Sequence, residues 1–336
     1  MHLRVCDDLD EGRVLWQHCW PSETIFDCWS VRQCFADQYR RPVRFLVAEE
    51  AGLPVGFLPL AWIEEEGYWG CFPGEAWNGR TWLEQNRIPA ASPAVRAALL
   101  EAAPEPTRLR YLIPSSLPAA SDQSESVDEV GYLFEPGRYD YSFDCYHAQF
   151  SGKTRKKLRR ELGRLEALSV EYRIDRVSDV DQLYRLNLDA FGSRSYFHDP
   201  RFLRSFEGLV GWLAEQGLLR VTTVLVGGHV AAVDLGSVWR SGYTVLAGGT
   251  SPEVPGVAKL INFFHLQWAC EQRLAVVDFL CGDFSWKQRF HLTPRPLYQL
   301  QAPVVADELA AARARRIRAH EPHLQSPRGG YHERLR

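Results

Sequence analysis

One segment near the C-terminal end of the sequence combines a flexible turn with charged side chains that could act on a bound ligand. It reads DFLCGDFSWKQRF, from Asp278 to Phe290, and begins with a short apolar run. Gly282 allows a sharp turn at the end of a buried strand, which is where α/β proteins bind ligands. A positioned carboxylate and ammonium can move protons and stabilise developing negative charge. We therefore predict Gly282, Asp283 and Lys287 as catalytic residues; a plain ion pair between Asp283 and Lys287 is the structural alternative.

A second candidate is the loop GGTSPEVPGVAK, which leads from a predicted strand into a predicted helix. Glycines let the backbone approach a ligand closely, and a helix N-terminus presents free N–H groups that suit phosphates. The loop does not have the spacing of a nucleotide-binding fingerprint. The loop is either an ordinary turn or a site that binds the phosphates of a coenzyme A or a nucleotide, and for the second role the predicted residues are Gly248, Gly249, Pro255, Gly256 and Lys259.

The segment FSGKTRKKLRRELGRLEAL, residues 150–168, is strongly basic. Leu158, Leu162 and Leu165 fall on one face of a helix and the cations occupy the rest. Ser151 precedes the helix start, where the backbone dipole favours anions. The segment is either a solvated connector between two domains or a phosphate-contacting helix, and for the second role the candidates are Lys153, Lys156, Arg159 and Arg160.

Other residues could bind a substrate or act as a base. The candidates for a base are Asp283, Asp234 and His229. The segment SRSYFHDP contains Tyr196 and His198; it is either a helix entry or a loop over the substrate. Asp234, Tyr196 and His198 are our predicted substrate-binding residues.

The elements that position these residues form a repeat. Each half shows three β-rich runs separated by turns, then a helix, then another strand, at a separation of roughly 175 residues. Two unrelated α/β domains are the alternative interpretation. The ranges are strands 44–49, 55–62, 68–72 and 108–113 with helix 93–102, and strands 218–226, 229–239, 243–248 and 274–280 with helix 257–273.

Composition excludes several classes of protein. The chain has 336 residues, 46% of them hydrophobic, enough for two domains with buried cores. A formal net charge of -3 gives no general attraction to DNA. The eight cysteines show neither paired spacing nor a zinc pattern, so no metal is expected. Without a signal peptide or an apolar run long enough for a membrane span, the sequence predicts a cytoplasmic protein.

Three motifs in order carry a resemblance to a known family: KTRKKLRREL, AGGTSPEVPGVAKLINFFHLQWA and DFLCGDFSWKQRF. They resemble the C-terminal lobe of bacterial GNAT-like acetyltransferases of the CelD/BcsL type, related to the FemAB peptidyltransferases. The resemblance implies an α/β (α+β) fold of two tandem GNAT-like lobes, each a mixed, mainly antiparallel sheet flanked by helices. The lobes would span residues 1–149 and 150–301, followed by a helical or flexible tail at 302–336.

The same resemblance implies an N-acyltransferase. The donor would be acyl-coenzyme A and the acceptor an amine on a small molecule, a sugar or a cell-envelope precursor. Aminoacyl-tRNA-dependent amide formation is the alternative, with tRNA as partner, and a non-catalytic binding protein is the third. The loop after Thr250 lacks the Arg/Gln-x-x-Gly-x-Gly/Ala pattern of coenzyme A enzymes, and the helical hairpin common in FemAB proteins has no counterpart.

Overall fold

The computed structural model describes residues 1–75, 82–116, 125–282 and 285–302. Asp283 and positions 303–336 of the predicted tail lie outside them. The strands are β1 (His2–Cys6), β2 (Val43–Glu50), β3 (Leu53–Ile63), β4 (Tyr68–Cys71), β5 (Thr107–Leu112), β6 (Glu125–Phe134), β7 (Val170–Ile174), β8 (Leu219–Val226), β9 (His229–Trp239), β10 (Gly242–Thr250), β11 (Val276–Cys281) and β12 (Thr293–Ala302). The helices are α1 (Leu9–Cys19), α2 (Trp29–Tyr39), α3 (Pro93–Glu101), α4 (Phe143–His147), α5 (Gly152–Glu166), α6 (Val180–Phe191), α7 (Pro200–Glu215), α8 (Val257–Glu271) and α9 (Ser285–Arg289).

All twelve described strands belong to one sheet, in the order β1-β2-β3-β4-β5-β12-β6-β11-β10-β9-β8-β7. Each strand from β1 to β6 has a counterpart in the second half whose number is higher by six. When counterparts are treated as equivalent, the strand order is the same from either edge of the sheet. Each half therefore repeats one six-stranded unit, and the last strands are exchanged: β6 lies between β12 and β11, and β12 lies between β5 and β6.

Strand direction follows the same symmetry. The sheet is antiparallel except for two parallel pairs, β4 with β5 and β10 with β11, which occupy equivalent places in the two halves. Each parallel pair is joined through a helix, α3 in the first half and α8 in the second, as parallel connections require.

Helices cover both faces of the second half of the sheet. Side chains alternate across a strand, so Val233 and Leu235 of β9 face α6 and α7, while Ala232 packs against Leu260 and Ile261 of α8 on the other face. Helix α5 lies beside α8 and packs Leu165 into the same cluster. Asp234, between Val233 and Leu235, therefore faces α8.

The mixed sheet with flanking helices and the repeated strand order confirm the predicted fold class. The two predicted sheets are joined edge to edge into one. The predicted strands leave out β6: none of them lies between 113 and 218, whereas Glu125–Phe134 pairs with β12 and β11. The proposed lobe boundary at 149/150 stays a prediction.

Candidate active site

The candidate site is an opening between β10 and β11. These parallel strands pair only from Gly242 to Thr244, opposite Val276 to Asp278, and then diverge. A cavity of about 720 Å³ occupies the gap, lined by both strand ends and by residues of α6 and α8. The cavity thus reaches both faces of the sheet through the gap.

A β-bulge shapes the β10 wall of this cavity. The register against β9 shifts between Val245 and Ala247, so Leu246 is the extra residue. Its carbonyl accepts the indole N–H of Trp82 at 3.3 Å, and the carbonyl of Gly248 accepts the side-chain amide of Asn187 at 2.9 Å. Bulges of this kind re-aim the backbone next to active sites.

The equivalent opening in the first half is filled by the chain itself. The segment 86–91 runs between β3 and β5: Asn86 N–H donates to the Tyr111 carbonyl at 2.8 Å, and Phe57 N–H donates to the Pro89 carbonyl at 2.9 Å. Asn86 is 2% exposed and Ile88 1%. Of the two equivalent positions, the one in the first half is therefore filled and the one in the second half is open.

A carboxylate two residues before the filling segment reaches the open cavity. Glu84 lines it and is 5% exposed. One carboxylate oxygen accepts the Cys281 N–H at 2.7 Å, and the other accepts from Arg295 at 3.2 Å. Arg295 also pairs with Asp278, whose second oxygen accepts the Leu280 N–H at 2.9 Å. Burial raises the pKa of the Glu84 carboxyl to about 7.

Backbone strain marks the same strand end. Leu280 has a φ of 57°, in the left-handed region, and Tyr111 at the equivalent position of β5 has a φ of 55°. Such conformations persist only where surrounding contacts hold them, and they cluster at functional sites. The Asp278 carboxylate on the Leu280 N–H supplies one of those contacts.

Lys287, a predicted catalytic residue, lines the cavity from α9. It is 2% exposed, and its ammonium donates to the carbonyls of Phe279, Leu280 and Cys281 at 2.8–2.9 Å. Burial lowers its pKa. Lys287 therefore holds the three carbonyls at the end of β11 in place, and its catalytic role stays a prediction.

A second carboxylate faces the cavity from β9. Asp234 lines it at 6% exposure, opposite Gly248 in the strand register. Its Oδ2 lies 3.0 Å from Nε2 of His265, a fully buried residue of α8. The sequence interpretation named Asp234 but missed His265, Glu84 and Arg295.

Other predicted residues divide into two groups. Gly248, Gly249, Gly282 and Tyr196 line the cavity. The remaining ones do not: Pro255, Gly256, Lys259, His198 and His229, together with Lys153, Lys156, Arg159 and Arg160 of α5.

Helix α5 nevertheless stands next to the start of α8. Lys259 donates to Glu161 at 2.5 Å, and a Cβ placed on Gly256 would lie 3.6 Å from Leu165. Gly256 precedes α8 with a φ of 97° and provides no side-chain cap. The Val257 N–H donates to the Val254 carbonyl at 3.2 Å, and the Lys259 N–H donates to the Gly256 carbonyl at 2.9 Å. Ala258 in the first turn of α8 lines the cavity. The exposed cations of α5 therefore stand outside the cavity, on the side of the α8 N-terminus.

Two negative findings concern the described residues. No three of their His, Cys, Asp and Glu side chains form a group that could hold a metal ion. None of their helices has the length and apolar character needed to cross a membrane.

Comparisons with known proteins agree with this geometry. Residues 152–288 match the model of the acetyltransferase (GNAT) domain family. The matched residues include β10 and β11, the two strands that border the opening. A comparison with curated proteins finds no match. The narrower resemblance to the CelD/BcsL type stays a prediction.

Several solved structures share the fold over nearly the whole chain. The C-terminal domain of a putative lysylphosphatidylglycerol synthetase from Agrobacterium fabrum has a TM-score of 0.55 at 13% identity, covering 92% of this chain and 97% of that one. FemX has a TM-score of 0.55 at 10% identity, covering 93% and 99%. The L-PGS of Bacillus licheniformis has a TM-score of 0.52 at 11% identity, covering 91% and 96%. Identities this low establish the fold alone.

Proposed function

We propose that this chain is an N-acyltransferase that works in the opening between β10 and β11, moving an acyl group from acyl-coenzyme A to an amine. The observation that carries the proposal is the opening itself. It is the unfilled member of two symmetric positions, it lies in a GNAT domain, and it reaches both faces of the sheet. Donor and acceptor can therefore approach from opposite faces and meet in the gap.

The donor would enter on the α8 face. Its phosphates would meet the first turn of α8 and the cations of α5, and its carbonyl would lie along the β10 edge beyond Thr244. Backbone N–H groups along that edge would stabilise the oxyanion that forms when the amine attacks. The C–N bond forms as the bond from the carbonyl to the leaving sulfur breaks, and the proton that the amine loses ends on the thiolate, which leaves as the free thiol.

The acceptor would enter on the α6 and α7 face. Tyr196, Asn187 and Trp82 stand there around the bulge at Leu246. Aromatic and amide side chains of this kind orient a small polar molecule without fixing its identity. Lys287 and Glu84 would hold the β11 wall in position rather than contact the acceptor.

Two observations favour a different donor of the acyl group. The loop 251–256 lacks a coenzyme A pattern, and α5 exposes a row of cations beside the site. FemX and the lysylphosphatidylglycerol synthetases share the fold. Aminoacyl-tRNA is thus the alternative donor, with the same amine chemistry and the same opening.

The melting temperature measured with each ligand distinguishes the two proposed donors. A ligand that binds only the folded protein raises the melting temperature by an amount set by its concentration relative to Kd. We expect acetyl-coenzyme A to stabilise the wild type and thiol release to depend on added amines. Stabilisation by charged tRNA alone would select the second donor. No shift with either donor and no turnover would contradict the proposed function.

The cations of α5 provide a matched check on donor binding. In the double variant Lys156→Gln/Arg160→Gln, KM for the donor should rise several-fold with little change in kcat, because only phosphate attraction is removed. The control is Arg204→Gln, an exposed cation on α7. If KM for the donor were the same in both variants, α5 would be a solvent-exposed connector that does not bind the donor.

A further inference from the structure

Strand β7, residues Val170–Ile174, forms one edge of the sheet, and among the described strands only β8 pairs with it. Three of its five residues are exposed. Exposed apolar side chains continue into the flanking turns at Leu168 and Val177, which are 56% and 48% exposed. An edge strand with open backbone groups and apolar neighbours is a template for pairing with another strand.

The hydrogen bonds to β8 determine which backbone groups of β7 face outward. The Gly227 N–H donates to the Ser169 carbonyl at 3.0 Å, and the Asp175 N–H donates to the Val221 carbonyl at 2.7 Å. Because bonded and non-bonded residues alternate in an antiparallel pair, the odd-numbered residues of β7 bond to β8. The even-numbered residues direct their N–H and C=O groups away from β8: they are Val170, Tyr172 and Ile174.

The sequence of this edge, VEYRI, is complementary to itself when two copies run antiparallel about Tyr172. Tyr172 then lies opposite Tyr172 of the second copy, and Val170 lies opposite Ile174. These are the residues with outward N–H and C=O groups, so each of those groups gains a partner. The remaining opposed pair is Glu171 with Arg173, which carry opposite charges. One register therefore satisfies the backbone, the apolar side chains and the charges together.

Arg173 is held at the edge, where it can pair with a second carboxylate. Its Nε and Nη2 donate to Asp179 at 2.7 and 2.8 Å, while its side chain stays 31% exposed. Residues opposed in a non-hydrogen-bonded pair have Cα atoms only about 4.5 Å apart, so Glu171 of the second copy lies within reach of this guanidinium. Two-fold symmetry forms the contact twice. An exposed ion pair adds little affinity, but it selects the register and the partner.

Tyr172 is already ordered for the contact in the single chain. Its ring stacks on Phe264 of α8, with ring centroids 4.3 Å apart and an interplanar angle of 16°. It nevertheless remains 38% exposed. A side chain that is ordered before association loses little entropy on binding, and aromatic cross-strand pairs stabilise antiparallel sheets.

The opposite edge of the sheet lacks this complementarity. The charged residues of β1 are His2 and Arg4, so two copies of β1 would bring bases and no acid together. Arg4 is also engaged by Glu11 and Glu49 of its own chain. Pairing of β7 with β1 of another copy would leave an open edge at each end and continue into a filament, whereas pairing of β7 with β7 closes.

We propose that two copies of this chain pair antiparallel through β7, about a two-fold axis at Tyr172, and form a dimer with one continuous sheet. Opposed residues of an antiparallel pair lie on the same face of a sheet, so the α8 faces of the two copies point to the same side. The proposal concerns assembly and does not depend on the proposed function.

Sedimentation of the full chain tests the assembly. Over a micromolar range of concentrations we expect a monomer in equilibrium with a species of twice its mass. Glu171→Arg places like charges opposite each other at both symmetric contacts, so the dissociation constant of the dimer should rise at least about tenfold. The matched control is Glu215→Arg, the same change of charge at an exposed position of α7, which should dimerise like the wild type.

Ile174→Pro tests the backbone contact. The Ile174 N–H points away from β8, so proline removes a hydrogen bond of the dimer and none of the monomer. We expect a monomer with the far-ultraviolet circular dichroism of the wild type, at concentrations where the wild type is a dimer. The proposal would be overturned by a wild type that stays monomeric or forms species larger than a dimer, or by a dissociation constant that Glu171→Arg and Ile174→Pro leave unchanged.

Disulfide cross-linking tests the register. Across a hydrogen-bonded antiparallel pair the Cα atoms are about 5.5 Å apart, so Tyr172→Cys of two copies can form a disulfide. In the same register, the two Glu171 positions are offset by two residues and lie about 8 Å apart, which is too far. Under mild oxidation we expect a reducible dimer from Tyr172→Cys, and from Glu171→Cys no more than from the wild type with its eight native cysteines. Equal cross-linking of the two variants, or none above the wild type, would contradict the proposed dimer.

Discussion

Glu84, from the first half of the chain, accepts the backbone N–H of Cys281 at the end of β11 in the second half, at a distance of 2.7 Å. The contact joins the segment that fills one opening of the sheet to the wall of the other. One half of the repeat has thus become part of the site in the other half.

Removing this carboxylate should weaken both fold and site. In Glu84→Ala, the Cys281 N–H and Arg295 lose buried partners, and we expect a loss of about 2–4 kcal/mol in the free energy of unfolding. Glu84→Gln should lose less, since its amide oxygen can still accept. Urea unfolding measures both. A Glu84→Ala protein within about 0.5 kcal/mol of the wild type would show that the contact is dispensable.

Lys287 should matter to the fold, because it ties three carbonyls together inside the protein. Lys287→Ala removes all three hydrogen bonds and leaves space, so its melting temperature should drop by several degrees. Lys157→Ala, at an exposed position of α5, is the control and should melt like the wild type. If the two variants had the same melting temperature and only Lys287→Ala lost turnover, the role of Lys287 would be catalytic and not structural.

Gly248 should be intolerant of a side chain. A Cβ there would lie 2.3 Å from Asp234 Oδ1, so Gly248→Ala must displace the carboxylate and should reduce kcat at least tenfold. Gly163→Ala, in α5, meets nothing within 4 Å and should raise stability by about 0.5–1 kcal/mol. Steady-state kinetics and urea unfolding of both proteins check this. Wild-type kcat in Gly248→Ala would mean that the position of Asp234 is unimportant.

Glu75 should make stability depend on pH. It is 3% exposed, its Oε1 accepts from the Tyr68 hydroxyl at 2.8 Å, and burial raises its pKa to about 7. An acid with a raised pKa binds more protons when folded, so its contribution to stability is present at low pH and is lost as pH rises through the interval from about 4.5 to 7.

The variant Glu75→Gln removes this titration and keeps an acceptor for Tyr68. Relative to the variant, the wild type should lose on the order of 1–3 kcal/mol in the free energy of unfolding between pH 5 and pH 8. Urea unfolding at several pH values gives the difference directly. A difference that stays constant with pH would contradict the raised pKa.

Much of the fold followed from sequence periodicity. Turn glycines separate the strands of both halves, so β2 to β4 and β8 to β10 fall close to their predicted ranges. β6 was missed because its partners, β11 and β12, are distant in sequence. The exchange of β6 and β12 between the two halves produces no pattern within a short stretch of sequence.

The site was harder to predict than the fold, for a similar reason. Gly248, Gly249 and Gly282 were found because a glycine at a strand end is visible in the sequence. Glu84 was not, since it stands 197 residues from Cys281 and no spacing connects them. His265 resembled a core residue of an apolar helix, and only the pairing of β9 with α8 shows that it meets Asp234.

The central claim is that transfer takes place in the opening between β10 and β11, and one substitution tests it most directly. Ala258 is exposed on α8 and lines the opening, so Ala258→Trp adds bulk to the cavity without entering the core; Ala214→Trp does the same on the exposed face of α7, away from the cavity. The measurement is kcat/KM with the donor that stabilises the wild type. Our account predicts that Ala258→Trp loses at least about 50-fold, or roughly 2.3 kcal/mol of transition-state stabilisation, while Ala214→Trp keeps the wild-type value. Wild-type kcat/KM in Ala258→Trp would place the reaction elsewhere in the molecule.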